Sequence, residues 1–230
     1  MVKIGKKIKE AYEKYDNKKI YSLSEATEKI KLIASIVNFN SSIDIAIRLL
    51  VDPNKKNQMI RGIVKFPHRF GKYKKILALV GQDKKDEAIK AGCDYIGTEY
   101  IDKIYNGWTD IDVIITTPMM MPTVGRLGKI LGPKGLMPNP NNGTVTMDIG
   151  KTIQEIKHGK TNFKVDRYGI IHISIGNLHL SSNQIKDNIL ELIKVINILK
   201  PPFLKGTYIK SIYISGTMSP SIKIDHKNIQ

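Results

Sequence analysis

The chain has 230 residues, enough for one large domain or two small ones, and 41% of them are hydrophobic, as in a folded polypeptide rather than a disordered one. Lys and Arg number 37 against 21 Asp and Glu, giving a net charge of +16 and a pI near 9.7; this favours a polyanionic partner, though charge alone does not separate RNA from DNA or an anionic membrane. No apolar run is long enough to cross a bilayer, and the opening residues mix Lys, Glu and Ile instead of forming a signal-peptide block, so the expected location is the cytoplasm.

In chain order, Ile4, Ile8, Ala11, Tyr12 and Tyr15 fall on one face of an amphipathic helix. Ser22 followed by Glu25 has the form of a capping box for a second helix running to about Ser35. Ile43, Ile45, Ile47, Leu49 and Val51 alternate as a strand with one buried face. From His68 the pattern changes. Ile76–Val80 is a short apolar strand, Asp83–Ala91 a helix stopped at Gly92, and Asp94–Ile96 a second strand. Thr98–Tyr105 is a helix before Gly107, and Asp112–Thr116 a third strand ended by Pro118. Strands alternating with helices imply parallel pairing through right-handed crossovers, hence a small three-layer α/β domain. After it come a strand at Gly169–Gly176 and a long helix at Ser181–Lys200, ended by Pro201 and Pro202. In a last strand Tyr208, Ser211, Tyr213 and Ser215 alternate with Ile209, Ile212 and Ile214.

The flanking pieces are too few to fold separately and are predicted to form one discontinuous α+β domain, residues 1–67 with 160–230, interrupted by an α/β insertion at 68–159. Charge divides the same way: the insertion carries a net +3 and the flanks a net +13. The flanking domain is therefore expected to hold the nucleic-acid footprint.

Gly125–Thr146, GRLGKILGPKGLMPNPNNGTVT, is rich in Gly, Pro and Asn, which is turn chemistry rather than one regular element. Neither the P-loop nor the dinucleotide spacing is present, so no nucleotide cofactor is expected. Two readings stay open for it: a rigid loop packed on its own domain, or a loop whose amides, with Arg126, Lys129 and Lys134, approach RNA or tRNA phosphates. Phe39, among polar residues before the first strand, is either a core anchor or a stacking platform for an unpaired base or ribose. Thr217-Met218-Ser219 is a short polar loop suited to 2′-OH and phosphate contacts. The lone Cys93 excludes an internal disulfide and reads as a small buried hydrophobe. The Met119–Met121 run reads as packing, with Pro122 opening a helix. His68, His158, His172, His179 and His226 have no metal-ligand spacing, and His172 within its strand reads as structural. Ser24, Ser41 and Ser219 lack a nucleophile elbow, and no carboxylate pair stands out, so neither metal nor catalysis is expected.

The Gly125–Thr146 segment, with IRG at Ile60–Gly62, FPH at Phe66–His68, GIIHISIG at Gly169–Gly176 and KGTYIKS at Lys205–Ser211, resembles the large-subunit ribosomal protein L1 family of bacterial type. The resemblance runs from about Gly5 to Asp225. It implies a discontinuous rRNA-binding domain with an inserted Rossmann-like α/β domain. The implied partners are the mobile stalk of the large-subunit ribosomal RNA, the exit-site tRNA whose release the stalk assists, and the messenger of its own operon, which the protein represses. It implies no membrane, no cofactor and no enzymatic activity. It places Phe39, Thr217, Met218 and Ser219 at RNA, and implies Gln58, Arg61, Asp166, Ser174 and Gly176 as further RNA-binding positions on the same domain. Three positions depart from the family's habit: Asn38 and Asn177 stand where Lys is usual, and Ser219 where Gly is. The lost charges should flatten the salt dependence of binding, and Ser219 bears on whether a φ > 0 turn is needed there. The rival readings are a nucleotide-using enzyme and a general basic nucleic-acid-binding protein without a ribosomal site.

Overall fold

The computed structural model describes residues 5–16, 19–53, 58–71, 73–202, 204 and 206–226; Ile4 and Lys205, named above, lie outside them. In chain order the elements are α1 (Lys6–Glu13), α2 (Leu23–Ala34), β1 (Ser42–Leu49), β2 (Arg61–Lys65), β3 (Ile76–Leu79), α3 (Lys85–Lys90), β4 (Tyr95–Ile96), α4 (Tyr100–Tyr105) and β5 (Val113–Thr116). There follow α5 (Met121–Gly125), α6 (Gly128–Leu131), α7 (Ile149–Lys157), β6 (Lys160–Lys164), β7 (Ile170–Asn177), α8 (Ser182–Ile198), β8 (Ile209–Gly216) and β9 (Ile222–Ile224). They fall into two compact units, Met1–Gly71 with Thr161–Gln230, and Lys72–Lys160.

The first unit is built on a four-stranded sheet in the order β7-β1-β8-β9, with antiparallel neighbours throughout. Period-two alternation sends Ile43, Ile45, Ile47 and Leu49 of β1 to one face, where they join Ile171, Ile212 and Ile214 and the buried stripes of α2 and α8. Residues Ile30 and Ile33 of α2, and Ile185, Ile189 and Ile193 of α8, fill that stripe at helical spacing. Ser22 and Ser181 each close a capping box, the first with Glu25 and the second with Gln184. Ser181→Ala removes the acceptor of the Gln184 amide and is expected to cost about 1 kcal/mol, seen as a lower urea midpoint at unchanged slope.

A register shift between Arg48 and Leu49 makes Lys210 the extra residue on β8, because Arg48 faces Ser211 and Leu49 faces Ile209. The bulge puts Ile209 on the buried side with Ile212 and Ile214, the grouping that the sequence suggests, and only Tyr208, which precedes β8, departs from it. Tyr208, expected on the polar side, is 3% exposed and belongs to the core. β2 and β6 form a separate two-stranded ladder. The chain after β2 is fastened by Asn188 of α8, which is completely buried. Its side chain donates to the carbonyls of His68 (3.1 Å) and Ile175 (2.8 Å) and accepts the His68 amide (3.1 Å).

The second unit is a parallel sheet in the order β4-β3-β5. Every residue of β3 is buried, as a strand covered on both faces requires. Ile76 and Ala78 pack with Ala88 of α3 and Ile149 and Ile153 of α7, while Leu77 and Leu79 pack with Ile104, Val124, Leu127 and Leu131. These two clusters make the three-layer α/β arrangement expected from the sequence.

Candidate nucleic-acid interface

Because α2 and α8 cover only one face of the first unit's sheet, its other face is open, and the register states what stands there. Asp44 lies between Ser174 and Ser215, Ala46 between His172 and Tyr213, and Arg48 between Ile170 and Ser211. Asp44, His172 and Tyr213 are exposed, and Lys223 extends the middle row from β9. A shallow cavity of about 400 Å³ runs over Asp44, Ala46, His172, Ser174 and Ser215. This is a surface of hydroxyls, one carboxylate, an imidazole and a phenol, donors and acceptors at fixed spacing rather than an apolar seam. It suits a polar, shape-defined ligand with exposed hydroxyls.

At one end of the sheet the structure brings together the two features singled out in the sequence. Phe39, just before β1, and Met218, just after β8, line one cavity of about 360 Å³ with Ile8 of α1, Val37 and the Lys7 stem. Phe39 is 46% exposed, so it is a surface aromatic and not a core anchor. The buried Ser41 ties the two loops: its hydroxyl accepts the Thr217 amide (2.8 Å), which also reaches the Ser42 carbonyl (3.0 Å). Gly216 is needed for that approach, since a Cβ there would lie 2.9 Å from Ala34 Cβ. Residues 216–219 form a turn in which the Ser219 amide donates to the Gly216 carbonyl (3.0 Å) and the Ser219 hydroxyl accepts the Gly216 amide (2.7 Å). The left-handed residue of this turn is Met218 (φ 60°), not Ser219. Ser219 is therefore accommodated, and its hydroxyl closes the turn. Met218, a non-glycine held at positive φ with its side chain 76% exposed, stores about 1 kcal/mol of local strain.

The other residues nominated from the sequence divide. Ser174 stands on the open face and donates to the Ile43 carbonyl (3.3 Å). Gly176 is buried, within reach of Leu180 and Ile185, and serves packing. Asp166 and Gln58 lie at the opposite end of the sheet, about 24 Å away by the length of β1. Burial opposes ionisation of Asp166, but the Ile170 and Tyr168 amides (2.8 Å each) and His172 (3.6 Å) outweigh it and hold the carboxyl below the usual aspartate value. Gln58 Oε1 accepts the Asp52 amide at 2.6 Å, and Arg61 is exposed at the head of β2. His172, expected to be structural, points to the open face with its side chain 63% exposed.

In the second unit the Gly-rich segment is packed on its own core. Leu127 and Leu131 are fully buried, α6 supplies a helical turn, and Val145 bridges Thr116 in parallel with β5. Arg126, Lys129 and Lys134 are exposed, and Lys134 donates to the Thr109 hydroxyl. Met119 is 81% exposed, so the methionine run is only partly packing. Cys93 is half-buried with its thiol against the Ile76 and Tyr95 carbonyls, and burial pushes its pKa up. Among the described residues no group of His, Cys, Asp and Glu is placed to hold a metal ion, and no helix is long and apolar enough to cross a membrane.

Tyr213 stands exposed on the polar side of the last strand, as expected. The sequence reading missed Ser41 as the joint, and Asp44 and Tyr168 as surface groups. Their only sequence signal was position on the polar side of a strand or in a turn. Residues 25–220 match the Ribosomal protein L1p/L10e family. The chain is 53% identical to the large ribosomal subunit protein uL1 of Christiangramia forsetii, covering 99% of this chain and 98% of that one. It is 54% identical to the uL1 of Porphyromonas gingivalis (100% and 99% covered) and 53% identical to that of Flavobacterium johnsoniae (100% of both).

Proposed function

Because the chain belongs to the ribosomal protein L1p/L10e family, we propose that it works as a large-subunit ribosomal protein whose first unit binds the mobile stalk of the large-subunit RNA. A member of this family is a structural component of the ribosome and not an enzyme, and its place is cytoplasmic and ribosome-associated. In this reading the bound stalk assists release of deacylated tRNA from the exit site, and a similar fold in the protein's own messenger lets it repress translation. Arg126, Lys129 and Lys134 of the second unit are offered as secondary RNA or tRNA contacts.

One observation carries the RNA-binding reading: Phe39 and Met218 meet in a single cavity at the edge of an open, hydroxyl-bearing sheet face. The unit that bears it has a net charge of +13, against +3 for residues 72–160. Cations supply long-range attraction, while the apolar cavity and the fixed hydroxyls select folded RNA with an unstacked element and accessible 2′-OH groups. The test is filter binding of the full chain to the stalk fragment of large-subunit RNA, with duplex DNA as competitor, at two salt concentrations. Binding that persists at the higher salt and against DNA supports the assignment. Binding shared with DNA and abolished by salt leaves a general basic nucleic-acid-binding protein in its place.

A further inference from the structure

We infer that one face of the second unit, where Tyr95, Tyr100 and Trp108 meet beside Glu99 and Asp102, is a docking surface for an arginine-bearing segment of another protein. It uses neither the sheet of the first unit nor that unit's cations, so it does not rest on the RNA-binding reading. The three rings form one cluster: Tyr95 lies 5.4 Å from Tyr100 and 5.1 Å from Trp108, edge-on to the latter, and Tyr100 lies 5.3 Å from Trp108. Local structure brings them together. β4 supplies Tyr95 and α4 opens with Tyr100. The turn after α4 folds back, because Gly107 is at φ 94° and the Trp108 amide donates to the Lys103 carbonyl (3.0 Å). On its inner side the cluster packs against the core that holds Leu77 and Ile104, yet all three rings stay partly exposed. Rings with one side dry and the other wet are the groups enriched at protein interfaces.

Charge selects the partner. Residues 94–112 carry five carboxylates against one base, Lys103, a net −4 within a chain of net +16. Three of the five serve the fold: Asp94 accepts the Ile76 amide (2.9 Å), Asp112 the Lys75 amide (2.9 Å) and Asp110 the Lys75 ammonium (2.5 Å). The other two, Glu99 and Asp102, are exposed and, among the described residues, make no ion pair. Three apart on α4, they are neighbours of like charge, a repulsion that a bound cation relieves. The rings already show what they receive: the Lys103 ammonium lies 4.4 Å from the Tyr100 centroid. Among the described residues no Lys or Arg is placed in this way over Trp108, the strongest kind of ring for such a contact. A guanidinium suits both features, since its plane stacks on an aromatic face while its N–H groups pair with a carboxylate. An ammonium does only the second well. A phosphate backbone is refused by the same carboxylates, the reverse of the Phe39 cavity with Lys7 at its side.

Trp108 is the only tryptophan of the chain, so its fluorescence reads this face directly. The full chain is titrated with two aromatic-free synthetic peptides of equal length, one carrying arginines spaced by Gly and Ser, the other lysines at the same positions. A single-stranded RNA oligonucleotide is the third probe. The arginine peptide is expected to change Trp108 emission saturably and to bind roughly fivefold tighter than the lysine peptide, the worth of one exposed guanidinium–ring contact. Glu99→Gln combined with Asp102→Asn, both at exposed positions, should weaken the arginine peptide about fivefold at unchanged thermal unfolding. The inference is overturned by a Trp108 signal that does not saturate, by equal affinity for the two peptides, or by a double variant that binds as the parent does. Quenching by the RNA oligonucleotide that the arginine peptide reverses would make this an RNA surface instead. Self-association of the parent chain that the double variant abolishes would make the occupant a second copy. Either result overturns it too.

Discussion

Asn188→Ala is expected to lower the unfolding free energy of the first unit by about 3 kcal/mol, the sum of two or three buried hydrogen bonds at 1–1.5 kcal/mol each. Asn188 is fully buried on the inner side of α8, where its amide spans two otherwise separate pieces of chain. It donates to Ile175 of β7 and makes a two-way pair with the main chain of His68, just beyond β2. Alanine leaves one amide and two carbonyls without these partners, in a region that α8 shields from water. Asn188→Leu conserves volume but not polarity and should be no better. Asn188→Asp keeps the acceptor, loses both donated bonds and adds a buried charge, so it should be worse than alanine. The neighbouring His68–Asp187 pair (3.2 Å) is solvent-exposed and cannot compensate. The shift is best followed by far-UV circular dichroism in urea, because the single tryptophan, Trp108, reports on the second unit. A loss below about 1 kcal/mol would mean that water replaces the lost partners and that the clamp is dispensable.

Much of this architecture could be read from local pattern, and the exceptions have physical causes. The α2 capping box, the alternation in β1 and the continuous apolar run of β3 each encode their element within a few residues. β2 and β6 do not. RGIVK and KTNFK are short, half polar, and strands only because they pair with each other across the whole inserted unit. α7 went unread because Asp148 makes no side-chain cap and a Gly-rich segment runs into it. The interface was legible to a different degree. Phe39 and Thr217–Ser219 could be nominated, but their meeting depends on Ser41 and on the absence of a side chain at Gly216. The three rows of the open face are a property of register, which no single strand carries. The bulge opposite Arg48 brought Ile209 inward and left Lys210 outward, against simple alternation from Ile212 and Ile214.

Phe39→Ala is expected to weaken binding to the stalk RNA by tenfold or more at both low and high salt, whereas Lys7→Ala at the same cavity should mainly flatten the salt dependence. The contrast follows from what each side chain does. Lys7 acts through counterion release, which scales with the logarithm of salt and fades as salt rises. Phe39 offers an uncharged face, 46% exposed before binding and bordered by Val37, Ile8 and Met218, so its contribution is desolvation and stacking and is nearly independent of salt. Its exposure also means that truncation should cost the free protein little stability, which separates a binding defect from misfolding. Phe39→Leu keeps apolar area but not the flat ring and should fall between parent and alanine. Thr217→Ala should also lose affinity at both salts, and its combination with Phe39→Ala should be less than additive. The Thr217 hydroxyl donates to the Ser42 carbonyl (3.4 Å) at the start of β1, so its loss already loosens the segment that carries Phe39. If Phe39→Ala and Lys7→Ala lost affinity only at low salt and by similar factors, recognition would be electrostatic throughout. The cavity between Phe39 and Met218 would then be a surface feature without a role in choosing the RNA.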